Sequence, residues 1–271
     1  MNQVPSVMLG TFGIKSQETM NSIVRCAIDN NCRGFDTSPS YGTERALGVA
    51  VQSIVSSSTI CREELFIADK IDGIQIYKSK GRISKYIQSS LKEMKCEYFD
   101  LILIHWPFLD YLDTVWEELS RMKEMGIIKS LGICNVTLNK LDEIYRKIGE
   151  YPEFIQNEIS PLNYDESVKF FQSKGIWVEA YSPFARMIDL LKNDKSIQEV
   201  AIKHNKDIGQ IILRWNMQRG IIPIFTSTNV KRIQSNMNLY DFELDIEDMK
   251  KIRSMDIKYK IFPYSYGCPG Y

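Results

Sequence analysis

Histidine is almost missing from this chain: only His105 and His204 occur in 271 residues. A zinc site would have to be assembled from those two and scattered cysteines, so no metal centre is expected. The six cysteines (Cys26, Cys32, Cys61, Cys96, Cys134, Cys268) form no C-x-x-C pair. They could pair as three disulfides, but Met1 to Lys15 lacks a basic leader followed by an apolar stretch, and reduced thiols in the cytoplasm are the expected state. No hydrophobic run is long enough to span a bilayer, so no membrane role is expected. Charge of one sign is not in excess, with 34 Lys plus Arg against 34 Asp plus Glu, where a nucleic-acid binder would show a basic surplus. No two glycines are separated by a single residue, which excludes the G-x-G-x-x-G nucleotide fingerprint. A G-x-x-x-x-G-K loop is absent too, and no tyrosine is followed four residues later by lysine.

What is present is a regular alternation of apolar runs and helical stripes. Hydrophobic content is 44% and charged content 25%, the balance of an ordinary globular protein. The spacing predicts strands at 34–36, 66–70, 101–104, 128–134, 154–159, 176–181, 221–225 and 239–244. Between them it predicts helices at 44–55, 83–94, around Val115 to Met122, 138–148, 165–172, 195–203, 207–218 and 229–235, and a closing helix at 246–255. Val7 to Gly10 reads as an extra short element, part of a hairpin. Eight strand–helix units favour a closed (β/α)8 TIM barrel over an open sheet. No Pro/Gly/Ser linker divides the chain, so one domain over 1–271 is expected.

Three successive strands end in ionisable side chains, Asp36, Lys70 and His105, and Tyr41 follows Asp36 in a glycine-containing loop. A lone strand-end Asp is commonly a helix cap, and a lone Lys a solvated charge. The C-terminal ends of parallel strands, however, are where such folds keep their chemistry. The stretch Asp36-Thr37-Ser38-Pro39-Ser40-Tyr41-Gly42-Thr43-Glu44, followed by Lys70 and His105, resembles the aldo-keto reductase family. The resemblance continues through Gly132-Ile133-Cys134-Asn135, Gln156-Asn157-Glu158-Ile159-Ser160-Pro161 and Ala180-Tyr181-Ser182-Pro183, and ends near Leu244.

That resemblance implies NAD(P)H-dependent reduction of an aldehyde or ketone, sugar-like carbonyls included, with Tyr41, Lys70, Asp36 and His105 as the catalytic set. Hydride addition puts negative charge on the carbonyl oxygen, and a proton must reach it. A phenol with an ordinary pKa of about 10 keeps its proton at neutral pH, and an adjacent ammonium makes the proton easier to release. Tyr41 is thus the expected proton donor, Lys70 its tuner, and Asp36 the group that keeps Lys70 charged. His105 is expected to hydrogen-bond the substrate oxygen.

On the cofactor side the resemblance implies Tyr181 under the nicotinamide and Asn135 and Gln156 on its carboxamide. It also implies Ser182, Ser227, Arg232 and Asn236 along the rest of the dinucleotide, with no Rossmann fold. The family often has Lys-Ser where this chain has Thr226-Ser227. Loss of that cation leaves NADH open beside NADPH, although Arg232 can still grip a 2′-phosphate. Cys134 stands in place of a common Ser, and Phe12 where many relatives have Trp. Phe12, Trp106 and Phe184 are the expected walls of a pocket for a small carbonyl compound. The competing reading is a cofactor-binding regulatory barrel with little turnover.

Overall fold

A computed structural model describes residues 4–263. In chain order the elements are β1 (Met8–Gly10), α1 (Gln17–Asp29), β2 (Gly34–Asp36), α2 (Glu44–Ser57), β3 (Phe66–Ile71), α3 (Gly73–Ser79), α4 (Ser84–Met94), β4 (Phe99–Ile104), α5 (Leu112–Glu124) and β5 (Ile128–Cys134). There follow α6 (Leu138–Ile148), β6 (Phe154–Glu158), α7 (Val168–Ser173), β7 (Trp177–Tyr181), α8 (Asp189–Lys192), α9 (Lys195–His204), α10 (Ile208–Gln218), β8 (Ile221–Phe225), α11 (Val230–Met237) and α12 (Ile246–Arg253). The strands pair in parallel, each with the next, and β1 meets β8 through Met8 opposite Ile224 and Leu9 opposite Phe225. The result is the expected (β/α)8 barrel.

Its count of eight is reached by a different set of strands from the one the spacing suggests. Val7 to Gly10 is no hairpin arm; Met8–Gly10 is the parallel strand that closes the wall. The stretch 239–244 is correspondingly not a strand. With β1 seated between β8 and β2, the closed wall leaves no edge for a further strand. Leu239 and Leu244 are buried among the helices, while Tyr240, Asp241 and Glu243 are exposed. The backbone of Leu244 is satisfied by a side chain instead of a ladder: its N–H donates to Gln218 Oε1 (2.8 Å) and its carbonyl accepts from Gln218 Nε2 (2.9 Å). Three helices beyond the expected set, α1, α3 and the single turn α8, also appear. The buried stripe of α1, Met20-Ile23-Val24-Ala27-Ile28, has plain helical spacing, and Ser16 caps its start by accepting from the Thr19 N–H (3.1 Å).

Two apolar cores result from strand alternation. The larger lies between the barrel wall and the helices. The smaller fills the barrel with Met8, Phe66, Ala68, Leu101, Leu103, Cys134, Phe154, Ile222 and Ile224. This inner face carries the argument for the site. In β3 the inward series Phe66, Ala68 continues to Lys70; in β4 the series Leu101, Leu103 continues to His105; in β6 Phe154 leads to Gln156. Each strand therefore turns from apolar to polar on the same inward face at its C-terminal end.

Candidate active site

At that end lies a cavity of about 530 Å³ lined by Asp36, Tyr41, His105, Asn135, Gln156, Tyr181, Ser182 and Thr226, with Phe12, Trp106, Phe184, Ile74, Arg186 and Phe262 around it. Lys70 is fully buried beneath its floor. Its Nζ donates to Asp36 Oδ2 (2.5 Å) and to the Thr37 carbonyl (2.9 Å). Burial disfavours the ammonium, but Asp36 first, then Tyr41 and Cys134, outweigh it and hold Lys70 above the ordinary lysine range.

Tyr41 ends a short 3₁₀ turn, Pro39–Tyr41, whose hydrogen bond from the Gly42 N–H to the Pro39 carbonyl (3.1 Å) requires Gly42 at φ 65°. Hydroxyls pin this loop from behind: Thr43 Oγ1 lies 2.9 Å from Thr11 Oγ1 and 3.0 Å from Thr37 Oγ1. The Tyr41 ring then sits with its centroid 5.1 Å from Lys70 Nζ and 5.9 Å from the His105 ring, with Phe12 edge-on at 5.1 Å. Burial pushes the phenol up; Lys70 opposes this by charge and hydrogen bond, while Asp36 and Cys134 add to the rise. In this state burial wins, so the lowering expected from the ammonium alone is masked.

A second layer of polar groups was not foreseen from the sequence. Gln156 Nε2 donates to both Asp36 Oδ2 (3.1 Å) and Glu179 Oε2 (2.8 Å). Glu179 is fully buried; burial first, with Asp36 adding, pushes its carboxyl up to about 8 against opposition from Gln156 and Lys70. Asp72 Oδ1 lies 2.6 Å from His105 Nδ1. Glu158 accepts from the Ile261 N–H (2.6 Å) and the Phe262 N–H (2.9 Å), which brings the Phe262 ring 6.2 Å from Tyr181. Strand alternation was the signal available: Asp72 is two residues beyond Lys70, and Glu179 two before Tyr181.

Of the other expected residues, Asn135 sits at φ 61°, accepts from the Tyr181 hydroxyl (2.7 Å) and donates to the His105 carbonyl (3.0 Å). Ser227, Arg232 and Asn236 lie outside the cavity lining. Ser227 Oγ accepts from the Asn229 N–H (3.1 Å), and Asn229 caps α11 by accepting from the N–H groups of Lys231 (2.9 Å) and Arg232 (3.3 Å). Arg232 is exposed there, and Asn236 is buried one turn on. The part of the tail at 264–271, Cys268 included, lies outside the described residues.

The aldo/keto reductase family pattern matches residues 6–257. The chain belongs to the aldo/keto reductase family. A glyoxal reductase of Bacillus subtilis is 32% identical over 96% of the chain and 92% of its own length. A methylglyoxal reductase of Escherichia coli is 29% identical, covering 94% and 90%. An aldo-keto reductase of Bombyx mori, solved in complex with NADP, superposes with a TM-score of 0.89 at 29% identity over 98% of this chain and 96% of its own. As a member of this family the chain is an NAD(P)H-dependent oxidoreductase that takes carbonyl compounds to alcohols.

The cavity suits a nicotinamide carboxamide. With both Gln156 N–H groups spent on Asp36 and Glu179, the side chain has its carbonyl left as an acceptor for an amide N–H. Tyr181 supplies an aromatic face on the same wall.

Proposed function

We propose that this enzyme reduces small aldehydes and α-dicarbonyl compounds of the glyoxal and methylglyoxal kind, at the cavity over Lys70, using NADPH. The observation that carries the reading is the buried Lys70–Asp36 pair at 2.5 Å with the Tyr41 ring 5.1 Å from its ammonium. When bound, the reduced nicotinamide supplies the hydride. Tyr41 donates the proton to the carbonyl oxygen. Lys70 steadies the phenolate left behind, and Asp36 keeps Lys70 charged and aimed. His105 fixes the oxygen's approach by hydrogen bond. Asn135 and Gln156 hold the carboxamide and Tyr181 supports the ring. Ser182 and Ser227 line the path of the pyrophosphate, and Arg232 and Asn236 meet the adenosine end.

Two features support the substrate class. The cavity is modest, about 530 Å³, and its outer wall is mostly apolar, with Phe12, Ile74, Trp106 and Phe262 beside one charged residue, Arg186. Relatives that act on glyoxal and methylglyoxal match nearly the whole chain. Five described cysteines are free thiols, in keeping with a cytoplasmic enzyme. The test is NADPH consumption by the purified protein with glyoxal, methylglyoxal and larger aromatic aldehydes, run beside NADH. Saturable turnover of the small dicarbonyls is expected, and Arg232→Leu should weaken NADPH about tenfold while leaving NADH unchanged. No turnover across the panel refutes the reading.

A further inference from the structure

The two histidines are gripped by opposite ring nitrogens. His105 places Nδ1 2.6 Å from Asp72 Oδ1, whereas His204 places Nε2 2.7 Å from Asp248 Oδ2. Asp72 reaches His105 because it continues the inward series of β3 past Lys70, at the N-cap of α3. Ser38 Oγ donates to the same Asp72 oxygen (3.3 Å) and lies 3.4 Å from Nδ1. Burial pushes the Asp72 carboxyl up, but the hydrogen bond and charge of His105 and the hydroxyls of Ser40 and Ser38 outweigh it and hold it below the ordinary carboxylate range. Asp72 is therefore a carboxylate, which accepts and cannot donate. The proton between the two belongs to Nδ1. A neutral imidazole has a single N–H; with that proton on Nδ1, Nε2 carries a lone pair and cannot donate to a carbonyl oxygen.

We propose that Asp72 is a positioning residue for carbonyl reduction: it fixes a proton on Nδ1 of His105, so that His105 donates from Nε2 to the substrate oxygen only as an imidazolium whose charge Asp72 balances. This rests on the reading of His105 as the ligand of that oxygen. The charge of the ring decides which partner it suits: as an imidazolium, Nε2 donates to a carbonyl, and as a neutral ring protonated on Nδ1 it accepts from the hydroxyl of an alcohol. The other charged or titratable groups that share the cavity with the ring are Tyr41, edge-on at 5.9 Å, the mutually balanced Lys70–Asp36 pair beneath it, the buried Cys134 thiol, and Arg186 on the cavity wall. Among the described residues, Asp72 is the one ionisable side chain that hydrogen-bonds the imidazole.

The test is nitrogen NMR of histidine-labelled full-length protein, where two histidines give two assignable rings and His204→Gln identifies the second. At high pH His105 is expected to keep its proton on Nδ1 and His204 on Nε2. This readout needs no change at the site. Asp72→Asn, nearly isosteric, presents Nδ1 with an amide that can donate or accept, so the preference for a proton on Nδ1 should be lost in the same spectra. The variant should reduce methylglyoxal with kcat/KM about tenfold lower while binding NADPH within about twofold of wild type. A neutral His105 protonated on Nε2 in the wild type overturns the proposal, as does an Asp72→Asn variant with unchanged kcat/KM. Tyr41→Phe separates the two readings. If it retains full turnover, the assignment of the catalytic set fails whatever the tautomer; if it is inactive and Asp72→Asn is fully active, the inference about Asp72 alone fails.

Discussion

Glu179 makes folding stability depend on pH in a way that one substitution removes. The carboxyl is fully buried inside the barrel, one oxygen accepting from Gln156 and the other without a partner among the described residues. Its pKa rises from 4.5 to about 8 on folding, chiefly because burial penalises the charged form. The folded state thus holds this proton more tightly than the unfolded chain does. The stability it contributes is complete below pH 4.5 and is lost as pH climbs from there through about 8. At about 1.36 kcal/mol per pH unit, that interval corresponds to ~5 kcal/mol, and to ~3 kcal/mol already lost at pH 7. Glu179→Gln keeps the volume and the acceptor for Gln156 but stays neutral throughout. Urea unfolding of both proteins from pH 5 to 9 should show them nearly equal at pH 5 and the variant more stable by several kcal/mol at pH 8. Taking the difference between the two cancels the titration of all other groups. Parallel stability curves across this range would refute the reasoning.

Lys70→Met strands the Asp36 carboxylate in the barrel, which costs about 3–5 kcal/mol, measurable by urea unfolding at pH 7. Because Lys70 is held above its ordinary value, the stability it brings is fully present below about pH 10.5 and is lost only as pH rises further. Glu158→Gln leaves one of the N–H groups of Ile261 and Phe262 without its acceptor. It should raise KM for bulky aromatic aldehydes several-fold while changing the melting temperature little, as steady-state kinetics and calorimetry would show. Gly42→Ala forces a side chain into the left-handed turn that aims Tyr41; a loss of about 1 kcal/mol of stability and a lower kcat are expected.

The barrel was legible because its strands read as short apolar runs and its helices as stripes of 3.6-residue period. The strand that closes the wall was not legible. Three residues, Met8–Gly10, are too few to show alternation, whereas Leu239 to Leu244 has apolar ends and polar residues between them. The backbone N–H and carbonyl of Leu244 go to Gln218, a partner no local pattern reveals. Asp36, Tyr41, Lys70 and His105 stood out as polar residues ending apolar strands. Asp72 and Glu179 did not, because their roles depend on which face of β3 and β7 turns inward and on partners about 20 to 140 residues away. Alternation counted forward from Phe66, or back from Tyr181, would have found both. The pKa of Tyr41 was out of reach for a different reason. A neighbouring ammonium can be read from a motif, but the burial that outweighs it is a property of the assembled barrel.

The central claim is that Tyr41 delivers the proton at a nucleotide site built independently of it. Tyr41→Phe, compared with wild type for NADPH binding by quenching of protein fluorescence and for methylglyoxal turnover, tests both halves in one experiment. The account predicts NADPH affinity within about twofold of wild type and turnover reduced by about 10²-fold or more. Turnover within a few-fold of wild type, with NADPH bound normally, would contradict it.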